Sequence, residues 1–192
     1  MGLLRTFIAV EIPHEIQQAI FKATSNVRQA MGPVIRWVPP ENMHLTLKFL
    51  GDVSPSSVEL LTQMLQAEAD SSRCFEIRIC GLGSFPSLKR PRILYIGIQA
   101  PPGLEALHHG VESASRRLGY ESEDRPFSPH LTVGRVRQDA SSSEQQKIRQ
   151  SLENIHIDLL GTARVDSVHL FKSDLKSSGP VYTKLFSAPF KN

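Results

Sequence analysis

Two histidines and two threonines recur in one short pattern. Residues 42–52 read N-M-H-L-T-L-K-F-L-G-D and residues 129–136 read P-H-L-T-V-G-R-V, so His44 with Thr46 and His130 with Thr132 share an i, i+2 spacing. In an extended strand each pair points to one face, with Leu45, Leu47 and Phe49 behind the first pair and Leu131 and Val133 behind the second. Residues two apart on a strand face lie roughly 6.5–7 Å apart, which lets an imidazole and a hydroxyl touch different atoms of one phosphate-sized anion. A single H-x-T is commonly just a half-wet strand; its repetition is the informative feature. Two imidazoles around one phosphate suit phosphodiester cleavage. One neutral ring takes a proton from the attacking oxygen while the other, protonated, gives one to the leaving oxygen, and an ordinary pKa of about 6.5 makes both states accessible near neutrality. The threonine hydroxyls can hold the non-bridging oxygens, where charge builds up. By strict alternation Lys48 joins the same polar face, as a further phosphate contact or as a merely solvated lysine.

Rival chemistries lack their signatures. Zinc would need a third ligand, yet no H-E-x-x-H, no C-x-x-C and no carboxylate accompanies either H-x-T, so no metal is expected. Neither G-x-S-x-G nor a phosphate-binding G-x-x-x-x-G-K-[ST] occurs. His14, His108, His109, His156 and His169 have no partner motif and read as surface or structural.

The elements that must position these residues repeat as well. Residues 4–12 alternate as a strand up to Pro13, and Ile16, Ala19, Ile20, Ala23, Val27 and Ala30 then recur at helical spacing until Gly32. A turn-rich link leads to the first H-L-T strand; Ser54 and Pro55 open a second helix, and a strand follows over residues 74–80. The second half repeats the order: a strand at 92–99, a helix from Pro102 to Gly119, the second H-L-T strand, a helix at 141–153 and a strand at 163–171. Pro13 to His44 is 31 positions and Pro102 to His130 is 28, while His44 to Pro55 is 11 and His130 to Ser142 is 12. The expectation is an α/β (α+β) chain forming one domain over residues 1–192, with two β-α-β-α-β repeats at about 4–80 and 92–171 and a last strand at about 181–187 after a turn at 177–180. Two such arms can build one cleft.

Composition permits this and excludes little. The chain has 192 residues, 40% hydrophobic and 21% charged, which suits a globular domain with a real core. Its 22 basic and 19 acidic residues give a net charge of +3, a mild lean toward anionic partners rather than a nucleic-acid-binding tail. Cys74 and Cys80 would lie roughly 20 Å apart along one strand, beyond disulfide reach. With no signal-like segment and no apolar run near 18 residues, a reducing cytoplasmic location and no membrane partner are expected.

The segments H-L-T-L-K-F-L-G and R-P-F-S-P-H-L-T-V-G-R, with R-T-F-I-A-V-E-I-P near the start and F-K-S-D-L-K-S-S-G-P-V-Y-T-K-L near the end, resemble the two-histidine (2H) phosphoesterase superfamily. Within it the likeness is to the RNA 2′,3′-cyclic phosphodiesterase family, historically called 2′-5′ RNA ligases. The resemblance implies a bilobal fold, antiparallel-containing sheets lining a central cleft with helices outside, and a metal-independent hydrolase without cofactor. Its substrates would be RNA ends or nucleoside 2′,3′-cyclic phosphates, and no obligatory protein partner is implied; a monomer is expected. It makes His44 the proton donor to the departing 3′ oxygen and His130 the proton acceptor that activates water, leaving a 2′-phosphomonoester. Thr46 and Thr132 match phosphate-holding positions, Arg135 matches a family arginine, and Arg125 with Phe127 matches the R-x-F before the second motif. Phe127 is equally a core aromatic, and Arg125 and Arg135 are equally surface arginines paired with Glu121, Glu123 or Asp124. Trp37 reads as packing ahead of base stacking. The V-G-R of the second motif places Gly134 where many relatives carry a larger residue. Two alternatives remain: 2′-5′ ligation, the same chemistry reversed, and a nucleotide- or RNA-binding module without turnover.

Overall fold

A computed structural model describes residues 2–177 and 179–191; Ser178, in the turn expected at 177–180, lies outside the described residues. Among the described residues nine strands form: β1 (Leu4–Glu11), β2 (Ile35–Trp37), β3 (His44–Val53), β4 (Phe75–Phe85), β5 (Ile93–Gln99), β6 (His130–Val136), β7 (Leu159–Val165), β8 (Ser167–Lys176) and β9 (Gly179–Pro189). Five helices accompany them: α1 (His14–Ala23), α2 (Ser25–Met31), α3 (Val58–Ser71), α4 (Pro102–Arg117) and α5 (Ser142–Glu153). The order and type of the main elements match expectation, with local differences. The single helix expected up to Gly32 is two, because the Thr24 hydroxyl turns back onto the Ile20 carbonyl at 2.8 Å and the backbone breaks there. The strand expected over 163–171 is likewise two, β7 and β8, parted at Asp166. β2, read from the sequence as part of a link, is a short strand on β6.

The strands make one curled sheet in the order β7-β4-β5-β6-β3-β1-β8-β9, with β2 added on β6 and every pairing antiparallel. The two expected sheets are the halves of this one, joined where β3 meets β6 through a single residue pair, Leu45 opposite Leu131. The halves also exchange parts. β4 follows β3 in the chain yet lies beside β5, and β8 follows β6 and β7 yet lies beside β1. β1 is buried on both faces from Thr6 to Val10, as a strand between β3 and β8 must be. Helices α3 and α4 pack on the β3-β1-β8-β9 half, and α1 and α2 on β7 and β2 of the other.

β3 and β6 carry the same irregularity. Ala9 pairs with Thr46 but Ile8 with Lys48, so Leu47 is an extra residue; Tyr95 pairs with Thr132 but Leu94 with Gly134, so Val133 is extra. An inserted residue reverses the alternation beyond it. Both strands accordingly open on one burial sequence: half-buried, buried, half-buried, buried, buried, exposed, buried. Two expectations are corrected. Phe49 is 60% exposed rather than behind His44, and Lys48 is 2% exposed, turned to the helix side instead of the polar face. There its ammonium donates to Glu112 Oε1 at 2.8 Å and to the Glu121 carbonyl. Desolvation pushes the Glu112 carboxyl up, but its hydrogen bonds from Lys48 and the Glu123 N–H and the Lys48 charge hold it below its usual value.

A buried ion pair tolerates loss of both charges better than loss of one. Glu112→Ala is expected to destabilise the fold by about 3–5 kcal/mol in urea unfolding. Lys48→Met with Glu112→Leu should recover most of that loss; equal losses in the single and double variants would contradict the role of the pair.

Candidate active site

The Leu45–Leu131 pair fixes what surrounds it. Both leucines point into the core, at 1% and 0% exposure, so the residues flanking them point to the opposite face. Antiparallel register sets His44 across from Thr132 and Thr46 across from His130, with Cβ atoms roughly 4.5–5.5 Å apart and the two histidines on a diagonal of roughly 7–8 Å. All four expected side chains therefore stand together on one face of the sheet, around the Leu45–Leu131 junction.

The two imidazoles are anchored alike. His44 Nδ1 lies 2.8 Å from the Asn42 carbonyl and His130 Nδ1 lies 2.7 Å from the Ser128 carbonyl, each two residues upstream. A carbonyl only accepts, so Nδ1 carries hydrogen in both rings and Nε2 is the nitrogen free to exchange a proton. Aromatic walls hold the planes. His44 stacks on Phe7 with centroids 4.7 Å apart and meets the edge of Tyr182 at 5.0 Å; His130 meets Phe85 at 4.9 Å and Tyr95 at 5.4 Å. Burial pushes both imidazoles below their ordinary pKa, the carbonyl contacts oppose it in part, and the Arg135 charge lowers both further. The bulge at Val133 is what turns Arg135 to this face, and its charge also reaches Tyr182. Arg135 and Arg125 are exposed and ion-paired to none of Glu121, Glu123 and Asp124 among the described residues.

The remaining expected residues lie elsewhere. Phe127 stacks on His108 of α4, with centroids 3.8 Å apart, and packs against the core, as its packing alternative required. Trp37 lies under the Arg28 guanidinium at 4.7 Å and beside Gly134, also as packing. Nothing in the sequence around Phe7, Phe85, Tyr95 and Tyr182 marks them as neighbours of the imidazoles. They come from strands far from the motifs, and only the pairing order brings them to the imidazoles.

The two sides of the site differ. Beside His44 opens a cavity of about 630 Å³, lined by Asn42, Phe171 and Tyr182 and by a polar cluster in which Glu11 holds Lys184 at 2.5 Å and His169 at 3.4 Å. Its size is that of a small-ligand pocket. On the His130 side Tyr95 lies flat over Gly83, where an added Cβ would come within 2.5 Å of the ring, and stacks on Phe85 at 4.4 Å.

A profile of the family described as LigT like Phosphoesterase matches residues 10–95 and again 96–182. The chain belongs to that family. The chain is 30% identical over 182 residues to a protein of Methanothermobacter thermautotrophicus named RNA 2′,3′-cyclic phosphodiesterase, covering 95% of this chain and 96% of that one. Among solved structures it is similar to TT0787 of Thermus thermophilus, with a TM-score of 0.81, 28% identity and 97% of each chain covered. It is also similar to E. coli LigT complexed with 3′-AMP, with a TM-score of 0.76, 25% identity and 99% of each chain covered. No helix among the described residues is long and apolar enough to cross a membrane.

A positive neighbour disfavours the imidazolium, so removing Arg135 should raise both histidine pKa values. In an NMR titration His44 and His130 are expected to titrate below about 6.5, the usual histidine value, and to move upward in Arg135→Ala. Unmoved titrations would show that Arg135 does not face the two rings.

Proposed function

We propose that the chain is a metal-independent 2′,3′-cyclic phosphodiesterase that opens the cyclic phosphate at an RNA end to a 2′-phosphomonoester. The observation that carries this reading is the matched pair of Nδ1-anchored imidazoles, each with Nε2 left to exchange a proton, on one sheet face with Thr46, Thr132 and Arg135. The names of the relatives agree with it. In the forward step water forms its bond to phosphorus as His130 Nε2 takes its proton. The bond from phosphorus to O3′ breaks as His44 Nε2 gives that oxygen a proton, and the rings end with exchanged protonation. Thr46, Thr132 and Arg135 hold the non-bridging oxygens as their charge grows. In favour of His44 as the acid, the cavity lies on its side, where the departing nucleoside oxygen and the bulk attached to it need space. The His130 side is bordered by the half-buried rings of Phe85 and Tyr95, and water is the smaller of the two groups to be placed. The same reading takes residues of about 4–80 and 92–171 as copies of one duplicated unit, in line with the bulge and burial sequence shared by β3 and β6.

The productive enzyme carries one proton on the pair, so kcat/KM peaks midway between the two macroscopic pKa values. Since burial lowers both imidazoles, the maximum belongs on the acid side of the neutral optimum that unperturbed histidines would give.

Incubation with a nucleoside 2′,3′-cyclic phosphate in EDTA should yield the 2′-phosphate. His44→Ala and His130→Ala should each lose a factor of about 10² to 10⁴, and the double variant little more than either. Tight binding without turnover would overturn the reading in favour of a binding module, inhibition by EDTA would restore a metal, and a 3′-phosphate product would reverse the assignment of leaving oxygen.

A further inference from the structure

Antiparallel pairing of β2 with β6 makes Arg36 the direct partner of Arg135. Directly opposed side chains share a face, so Arg36 stands beside Arg135 on the face that carries the histidines, and like charges so placed repel. Both are exposed, and neither has an ion pair or hydrogen-bond partner for its side chain among the described residues.

The arrangement is held in place. β2 has only three residues, but the Val38 N–H donates to the Val133 carbonyl at 2.9 Å and the Arg137 N–H to the Val34 carbonyl at 3.0 Å, extending the pairing at both ends. Ile35 is 2% exposed, and Trp37 is pinned under Arg28. Gly134 makes this possible, since a Cβ there would come within 2.7 Å of Ile35 Cγ2 and 3.0 Å of Trp37 Cε3. A larger residue at 134 would displace the strand that carries Arg36. The positive character continues past this end of β6. The Val136 N–H donates to the Arg92 carbonyl at 2.9 Å, and Lys89, Arg90 and Arg92 are all exposed without ion pairs among the described residues. The cavity beside His44 instead mixes signs, with Glu11, Glu41 and Asp166 among its walls.

A cyclic phosphate carries one negative charge, for which Arg135 and the imidazolium suffice. Arg36 is a cation in excess, fixed next to the first. The geometry points to a second anion subsite, formed by Arg36 with Arg135, that takes the phosphate on the 5′ oxygen of the same terminal nucleotide. This rests on the proposed function and narrows its substrate to the ends of RNA strands, or 5′-phosphorylated nucleotides, over nucleoside cyclic phosphates lacking that group.

Adenosine 5′-phosphate 2′,3′-cyclic phosphate and adenosine 2′,3′-cyclic phosphate differ only in that phosphate. At low ionic strength the native enzyme should favour the first by roughly tenfold in kcat/KM, the size of one charge-assisted hydrogen bond. Salt should shrink the preference. Arg36→Ala should bring the ratio to about one through the phosphorylated substrate alone, Arg36→Lys should keep part of it, and Arg36→Glu should invert it. A native ratio near one, or a preference that survives Arg36→Ala, overturns the subsite. Should the native enzyme hydrolyse neither compound, the functional reading falls and binding decides the subsite. It then stands if adenosine 2′,5′-bisphosphate binds more tightly than adenosine 2′-monophosphate and Arg36→Ala removes the difference, and it falls if the two bind alike.

Discussion

One strand pair organises the site: Leu45 against Leu131, where two halves of a sheet touch through a single position before β3 turns away beside β1 and β6 beside β5. Because side chains alternate across a strand, burying those two leucines puts His44, Thr46, His130 and Thr132 side by side on the opposite face. A longer ladder would flatten the junction, and none would let the histidines part. The exchange of β4 and β8 between the halves ties this narrow contact down, since each half holds strands from both parts of the chain.

The paired bulges shape what surrounds that contact. Each moves one side chain from the active face to the core and brings another forward, yet the chain uses the four positions differently. Lys48 and Gly134 turn inward, one to a buried ion pair with Glu112 and the other to make room for β2. Phe49 and Arg135 turn outward, one an exposed ring and the other a cation beside both histidines. An approximately symmetric frame thus acquires two unlike sides, an asymmetry that the proposed reaction would use for its departing alcohol and its entering water.

The histidines and threonines were legible because the rule that places them, alternation over three residues, is local. Repetition of the motif then pointed to a shared cleft. Lys48 and Phe49 were misread because a bulge is a matter of pairing register, which the period-two pattern of H-L-T-L-K-F-L does not betray. Phe7 and Tyr182 are invisible as site residues for another reason: Phe7 reaches His44 through the register of β1 on β3, and Tyr182 through β9 and β8, from the far end of the chain. Arg135 was reached through resemblance alone, since strict alternation from His130 would have sent it to the core. The break at Thr24 and the split at Asp166 are side-chain and backbone details that periodicity smooths over.

Electrostatics completes the design. Carbonyls of Asn42 and Ser128 leave Nε2 as the nitrogen free to exchange a proton, while burial and the Arg135 charge lower the pKa of both imidazoles. The central claim is that one phosphorus sits between the two Nε2 atoms. A crystal structure with a nucleoside 2′-monophosphate tests it most directly. His44 Nε2 and His130 Nε2 should each lie within hydrogen-bond distance of oxygens on opposite sides of a single phosphorus, with the nucleoside toward the His44 cavity. A phosphate that touches only one of the two rings, or that binds away from both, would contradict the account.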